Sequence, residues 1–297
     1  MILLTGATGF LGKHLLGRLQ ADGRPVCPAS KHAQSSECKE EFQQLDMEDP
    51  ESFDNLPEQI DTVIHLAALV PQKGSVFSFD RYMAINATGV KRLIQESARR
   101  GCREFIYAST QMVIEKALHE PVDEDHPVVP ISDYGFSKAT GERFCLSLGA
   151  ELGVKSVSLR FARIYGPWQR PGYVLTDFID RARQGLPLHV FGAQGTRELI
   201  YVTDAVEAIL AVMEAKLSGI FNIGTGRSVT TLTLAETIAD VFSGGVSTVL
   251  ISEMDAGPTL SDFCFDVTKA KRDLGFSARF TLKEGLRDYK LALERGS

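Results

Sequence analysis

The sequence predicts an α/β fold: a doubly wound, mainly parallel sheet with helices on both faces, joined to a smaller and discontinuous lobe. Three observations lead there. Over the first half, short β-branched or apolar runs alternate with longer amphipathic ones, as in successive βαβ units. A glycine-rich segment, Gly6 to Gly12, follows the first apolar run and opens the first amphipathic stretch. After Pro167 the alternation weakens, and turns containing glycine or proline recur at 170–172, 185–187 and 192–195.

Taken in order, the apolar run Met1–Leu4 reads as a strand and Gly12–Asp22 as the helix after it. Arg24–Cys27, Thr62–Leu66, Glu104–Tyr107 and Ser156–Arg160 are the next strands. Between them lie a long helix that includes Tyr82–Arg100 and another over Tyr134–Leu152. For the latter, Asp133 is the expected N-cap and Gly153 the stop, because a short carboxylate accepts the free N–H groups of a first turn and glycine tolerates the left-handed exit. Later, Leu199–Val202, a helix from about Thr203 to Ala215, and Ile220–Ile223 read as a return to the main sheet. The expected division is a nucleotide-binding domain over 1–165, with its sheet return at about 197–225, and a lobe contributed mainly by 166–297.

The chain of 297 residues is 44% hydrophobic and 24% charged, the balance of an ordinary globular protein. A formal net charge of −6 offers no broad attraction for nucleic acid. Met1 leads directly into Ile2-Leu3-Leu4-Thr5, without the charged start, long apolar run and cleavage site of a secretory signal, so a cytoplasmic protein without a membrane partner is expected. The five cysteines are scattered and form neither a C-x-x-C pair nor a metal-like spacing with histidine, which predicts free thiols and no metal.

Gly6, Gly9 and Gly12 permit a tight strand-to-helix turn whose backbone N–H groups meet a pyrophosphate, with Thr8, Phe10 and Leu11 as the residues between. That context, strand before and helix after, is the dinucleotide signature of a Rossmann-type fold. Asp46-Met47 falls where a carboxylate or backbone group can meet an adenine amino group. Leu66-Ala67-Ala68 ends a strand where small side chains admit ribose and phosphate. His65, just before them, reads as structural.

Tyr134 and Lys138 are four apart on one helix face. A lysine ammonium and the positive nicotinamide ring of an oxidised cofactor both favour phenolate, so this spacing suits a tyrosine acid/base with its pKa lowered toward neutrality. Ser109-Thr110, just past the strand at 104–107, adds a hydroxyl at the sheet edge where open α/β folds bind ligands.

With these residues in hand, the chain resembles the extended short-chain dehydrogenase/reductase family, in its nucleotide-sugar epimerase, dehydratase and reductase branch. The resemblance spans nearly the whole length: TGATGFLG at 5–12, HLAA at 65–68, NATG at 86–89, ASTQMV at 108–113, YGFSK at 134–138, RFARIYGP at 160–167, RELIYVTDA at 197–205, FNIGTG at 221–226 and KAKRDLGF at 269–276. It implies that Tyr134 is the acid/base, that Lys138 binds the nicotinamide ribose and tunes Tyr134, and that Thr110 holds the reacting oxygen. Asn86 would tie its helix to the active-site strand. Phe161 and Ala162 would lie near the nicotinamide, Arg163 and Arg197 near the substrate, with the Arg197 guanidinium forked onto a diphosphate or ribose. A surface ion pair with Glu198 or another carboxylate is the plain alternative for that guanidinium.

Three departures narrow the expectation. Where dehydratases of this family carry an Asp-Glu pair after the threonine, this chain has Gln111-Met112, which disfavours elimination of water. A late Arg-Pro-Gly-Asp-like stretch reads Ala256-Gly257-Pro258-Thr259, so one phosphate clamp is missing. The usual tyrosine and glycine are Ile114 and Glu115, read as a change in the pocket wall.

The expected activity is hydride transfer at a sugar carbon, C4 foremost, of a nucleoside-diphosphate sugar, as an epimerase or a 4-ketosugar reductase. Reduction of a non-nucleotide carbonyl compound and a non-catalytic NADP sensor are the rivals. NADP is the expected cofactor and NAD the alternative: Ser30 stands eighteen residues after Gly12 and is followed by Lys31, with no carboxylate between Arg24 and Ser36 to repel a 2′-phosphate. A homodimer is expected through the helices that include 85–100 and 134–152.

Overall fold

The computed structural model describes residues 1–31, 42–252 and 262–296. Its main sheet is built from β1 (Ile2–Thr5), β2 (Val26–Ser30), β3 (Gln43–Gln44), β4 (Thr62–His65), β5 (Glu104–Thr110) and β6 (Lys155–Phe161), and from a late strand. Two short strands, β7 (Arg163–Tyr165) and β8 (Leu188–Val190), precede β9 (Thr196–Tyr201); the late strand is β10 (Gly219–Ile223), followed by β11 (Ser228–Thr230) and β12 (Val249–Ile251). The seven strands run in the order β10-β6-β5-β4-β1-β2-β3, all parallel. The expected doubly wound α/β sheet is what the chain forms.

The helices are α1 (Phe10–Ala21), α2 (Phe79–Met83), α3 (Gly89–Arg99), α4 (Asp133–Leu152), α5 (Val174–Arg183), α6 (Val202–Ala215), α7 (Thr231–Ser243), α8 (Thr268–Leu274) and α9 (Leu282–Glu294). Strand alternation sorts the two faces. Leu4, Ile64 and Ile106, aligned across β1, β4 and β5, join the core with residues of α1 and α6. Their neighbours Leu3, Val63 and Phe105 point the other way, into a core shared with α3 and α4. Every one of these six side chains is fully buried, and burying an aliphatic side chain of this size is worth about 1.5–3 kcal/mol.

Three elements differ from the sequence expectation. The long helix over 82–100 is interrupted by a wide, π-type turn at Ala84–Thr88 that separates α2 from α3. Helix α4 is capped by Ser132, whose hydroxyl accepts from the Gly135 N–H, and Asp133 becomes its first residue, where a carboxylate still favours the positive helix end; Gly153 is the left-handed stop. Finally, only Gly219–Ile223 rejoins the main sheet. The run at 196–201 pairs with β7 and β11 in a separate three-stranded sheet, because β9 lies parallel to β7 after the chain has left β6. This sheet and α5, α7 and α9 enclose a second core containing Leu175, Phe178, Leu234, Ile238 and Leu286.

Candidate functional site

The order of strands reverses between β4 and β1, and at such a switch point the loops leaving the two strands part to form a crevice. The glycine turn lies there. Gly6 adopts φ of +71°, and a Cβ on it would fall 2.6 Å from the Ala67 nitrogen, so the loop after β1 and the loop after β4 touch through bare backbone. At Gly12 a Cβ would come within 2.1 Å of the Gly6 oxygen, which keeps α1 pressed onto the turn. Gly9 caps α1 without any side-chain bond and no acidic residue occupies the first turn, leaving the N–H groups of that helix end directed to an anion. Thr8, Phe10, Leu11, Leu66, Ala67 and Ala68 are all half-buried around this crevice. A dinucleotide's pyrophosphate therefore fits.

His65 stands behind it. Its Nδ1 and the Thr5 hydroxyl are 2.6 Å apart, and burial, with the Lys138 charge second, pushes its pKa down to about 3. A neutral ring locked against β1 is a structural histidine in geometry.

At the end of β2, Ser30 is 6% exposed and its carbonyl accepts from the Leu45 N–H. Lys31 is held by Asp46 at 2.9 Å and Glu48 at 3.1 Å, and Glu48 also takes the Arg81 guanidinium. The inference that no carboxylate opposes a phosphate here is thus corrected: none is near in sequence, but two arrive from beyond β3. His32 and the rest of 32–41 lie outside the described residues. Met47 packs its side chain against Gly89, so only its backbone is available toward adenine.

The chemistry-bearing side chains come from β5 and α4. Thr110, at the end of β5, accepts from the Met112 N–H and lies close to Tyr134. Lys138, one helical turn on, is 3% exposed; its ammonium donates to the Ala108 carbonyl at 2.7 Å and sits 4.1 Å from the centre of the Tyr107 ring. Thr110, Tyr134 and Lys138 are brought together as the spacing suggested. Their electrostatics differ from the expectation in one respect. Burial pushes the Tyr134 phenol up, with Tyr173 of the lobe adding to the rise and Thr110 opposing it, while burial pushes Lys138 down to about 7. The chain's own groups hold a neutral phenol, so a lowered tyrosine pKa needs the positive nicotinamide of an oxidised cofactor.

Sequence reasoning missed what lies beneath. Glu142 follows Lys138 by one turn and is buried with Arg160 in a two-pronged pair, 2.6 Å and 3.2 Å, joined by the Ser158 hydroxyl. This carboxylate is the larger of the two influences, with Cys145, that raise Lys138 against the burial effect. The i, i+4 spacing was its available signal. Asn86 sits in the π-type turn and binds both backbone groups of Leu69 and the Ser137 hydroxyl, which in turn donates to the Tyr134 carbonyl. Its side chain thus ties the loop after β4 to α4, and its carbonyl accepts from the Tyr107 hydroxyl of β5 at 3.5 Å.

On the lobe side, Arg163 opens β7 and lies opposite Leu199 of β9, two residues from Arg197 and on the same sheet face. Burial lowers the pKa of both guanidiniums, the Arg197 charge lowers Arg163 further, and Asp262 opposes. Arg197 donates to the Thr231 hydroxyl at 2.7 Å. An Arg197–Glu198 pair is not formed: Glu198 points to the opposite face, where its carboxylate accepts from the N–H groups of Thr225, Gly226 and Phe265. Phe161 lies beside Thr110 in register, and both Phe161 and Ala162 are 4% exposed. Gln111 is buried, with no hydrogen-bond partner for its carboxamide among the described residues. Residues 256–259 lie outside the described residues. Among the described residues, no acidic, histidine or cysteine cluster could hold a metal, and no helix is long and apolar enough to cross a membrane.

Comparison with known proteins identifies the family to which this fold belongs. Residues 2–224 match the NAD dependent epimerase/dehydratase family. An uncharacterised UDP-glucose epimerase of Bacillus subtilis is 31% identical over 96% of this chain and 95% of its own. The dTDP-4-dehydro-6-deoxyglucose reductase of Escherichia coli is 27% identical over 96% and 95%. Among solved structures, UDP-glucose 4-epimerase of Thermotoga maritima with UDP-glucose superimposes with a TM-score of 0.87 at 30% identity, covering 99% of each chain.

Proposed function

Because the chain belongs to the NAD dependent epimerase/dehydratase family and is an extended short-chain dehydrogenase/reductase, we propose that it transfers hydride at C4 of a nucleoside-diphosphate sugar, as an epimerase or a 4-ketosugar reductase. The observation that carries this reading is the placement of Thr110, at the end of β5, close to Tyr134 and to a buried Lys138 whose ammonium is fixed by the Ala108 carbonyl, at the same carboxyl edge of the sheet as the Gly6 turn. The bound nicotinamide supplies the hydride acceptor or donor. Thr110 orients the sugar hydroxyl, and Tyr134 takes its proton as the carbon becomes a carbonyl, returning the proton when the carbonyl is reduced. Lys138, fixed by the Ala108 carbonyl, supplies charge near Tyr134 and a donor to the nicotinamide ribose.

Gln111 supports hydride transfer over dehydration. Elimination of water needs an acid and a base, and a carboxamide buried beside Thr110 is neither. Arg163 and Arg197 would meet the diphosphate, a dianion able to offset two neighbouring guanidiniums. In this reading 1–165 with its return at Gly219–Ile223 carries the cofactor, the rest of 166–297 mainly the substrate, and a cytoplasmic homodimer forms through α3 and α4.

The cofactor preference is narrow. Ser30 and Lys31 favour NADP(H), but a 2′-phosphate must share Lys31 with Asp46 and Glu48.

The test is incubation with UDP-, GDP- and dTDP-sugars and their 4-keto forms, following products and cofactor absorbance together. An epimerised sugar without net cofactor change identifies an epimerase; stoichiometric loss of reduced cofactor on a 4-ketosugar identifies a reductase. Turnover of simple carbonyl compounds alone would overturn the nucleotide-sugar reading.

A further inference from the structure

The chain that leaves β5 after Thr110 and the chain that enters α4 before Tyr134 are stitched together by one buried carboxylate. Glu115 is 3% exposed. Its Oε2 accepts from the backbone N–H groups of Ile131 and of Ser132, the latter at 2.5 Å. Ser132 is the cap of α4, its hydroxyl accepts from the Gly135 N–H at 3.0 Å, and Tyr134 is the second residue of the helix. Backbone pairing adds to the seam, with Glu115 N–H donating to Val129 and Ile114 bridging Val129.

The fit is close enough to exclude a side chain. A Cβ on Gly135 would fall 2.3 Å from the Met112 carbonyl oxygen and 3.2 Å from Glu115 Oε2. The first turn of α4 is therefore seated on the turn that follows Thr110, with the Glu115 carboxylate reaching across. A buried carboxylate is tolerated where hydrogen bonds replace its hydration; here the approach to a helix start supplies two donors to Oε2 and a favourable dipole, while Oε1 has no partner among the described residues.

We propose that Glu115 is a positioning residue that fixes Tyr134 against Thr110, rather than a piece of pocket wall. The inference rests on Tyr134 being the acid/base. Proton transfer requires the phenol and the reacting hydroxyl within hydrogen-bond reach, and an ångström of slack can lower turnover by up to about a hundredfold. Glutamine at this position keeps one acceptor oxygen for the two N–H groups, so the conservative variant should rescue.

The experiment compares Glu115→Ala, Glu115→Gln, Gly135→Ala and Tyr134→Phe in the interconversion of UDP-glucose and UDP-galactose, with cofactor Kd measured on each. Where this pair is not turned over, the substrate found in the panel above replaces it. Glu115→Ala should lower kcat roughly ten- to a hundredfold while KM and cofactor Kd stay within about twofold. Glu115→Gln should recover to within about threefold of the parent. Gly135→Ala lifts the same helix start with the carboxylate intact, so it should lower kcat alone as well, and it carries the test if Glu115→Ala does not fold. Parental kcat in both Glu115→Ala and Gly135→Ala, with Tyr134→Phe inactive, overturns the positioning role. Equal losses in kcat, KM and cofactor Kd overturn it too, since they mark general damage. Full activity in Tyr134→Phe instead removes the acid/base reading itself.

Discussion

Two pairs of residues, one proposed for the chemistry and one for the diphosphate, are built in opposite ways. Tyr134 and Lys138 lie one turn apart on a single helix that is clamped to the sheet: Gly141 leaves room for the Asn86 carbonyl and the Tyr107 hydroxyl, and Arg160 is locked to Glu142. Arg163 and Arg197 come from separate strands of the small sheet, and Arg197 is steadied by Thr231 from the start of α7. Burial opposes the charge on Lys138 and on both arginines alike. What differs is the support. A reacting group tolerates little displacement, and the helix proposed to carry it is anchored at many points; a diphosphate contact tolerates more, and the lobe proposed to provide it is assembled from distant chain segments.

The strongest way to break this contrast is Tyr134→Phe. Removing the phenol oxygen deletes proton transfer and leaves the ring packed near Tyr82, so kcat should fall by roughly two to four powers of ten with cofactor Kd nearly unchanged. Steady-state kinetics and a cofactor titration read both quantities. A variant with parental kcat would show that α4 is not the seat of chemistry and that the two pairs do not divide the labour as described.

The same contrast explains what was legible in the sequence. Gly6, Gly9 and Gly12, the Tyr134–Lys138 spacing and Thr110 are local patterns, and the structure brings them to one crevice because each is tied to a strand end or a helix start. Pairing between distant segments was not legible. The run at 196–201 is as apolar as a main-sheet strand, yet it pairs with β7 and β11, a choice made by the tertiary fold rather than by local composition. Lys31 looked unopposed because Asp46 and Glu48 reach it only after β3 has been laid beside β2. Glu115 showed in one dimension only as a departure and Glu142 only as an i, i+4 neighbour of Lys138, since the role of a buried carboxylate declares itself through the donors around it.

Arg197→Ala sharpens the comparison from the other side. The guanidinium is expected to contact the diphosphate equally in ground and transition states, so KM for the nucleotide sugar should rise roughly ten- to a hundredfold, the equivalent of about 1.5–3 kcal/mol, while kcat changes far less. Initial rates over a wide substrate range separate the two. Should kcat fall as steeply as in Tyr134→Phe, the arginine face would belong to the chemistry and the contrast would collapse.

The smallest expected effect concerns the far end of the cofactor crevice. Had Lys31 faced a 2′-phosphate without competitors, one charge-assisted contact would favour NADPH over NADH by roughly ten- to a hundredfold. Lys31 is already shared by Asp46 and Glu48, Glu48 is also held by Arg81, and Ser30 is almost fully covered. A phosphate entering here must draw Lys31 away from one carboxylate while standing near both, so most of the gain is cancelled and the preference should lie below about tenfold. Dissociation constants for NADPH and NADH on the parent and on Lys31→Ala decide it. The variant should move toward NADH by a few-fold at most, on the scale of an exposed ion pair. A parent that prefers NADPH a hundredfold would mean that the phosphate displaces the carboxylates outright; a parent that binds NADH more tightly would mean that Asp46 and Glu48, not Lys31, govern this end of the site.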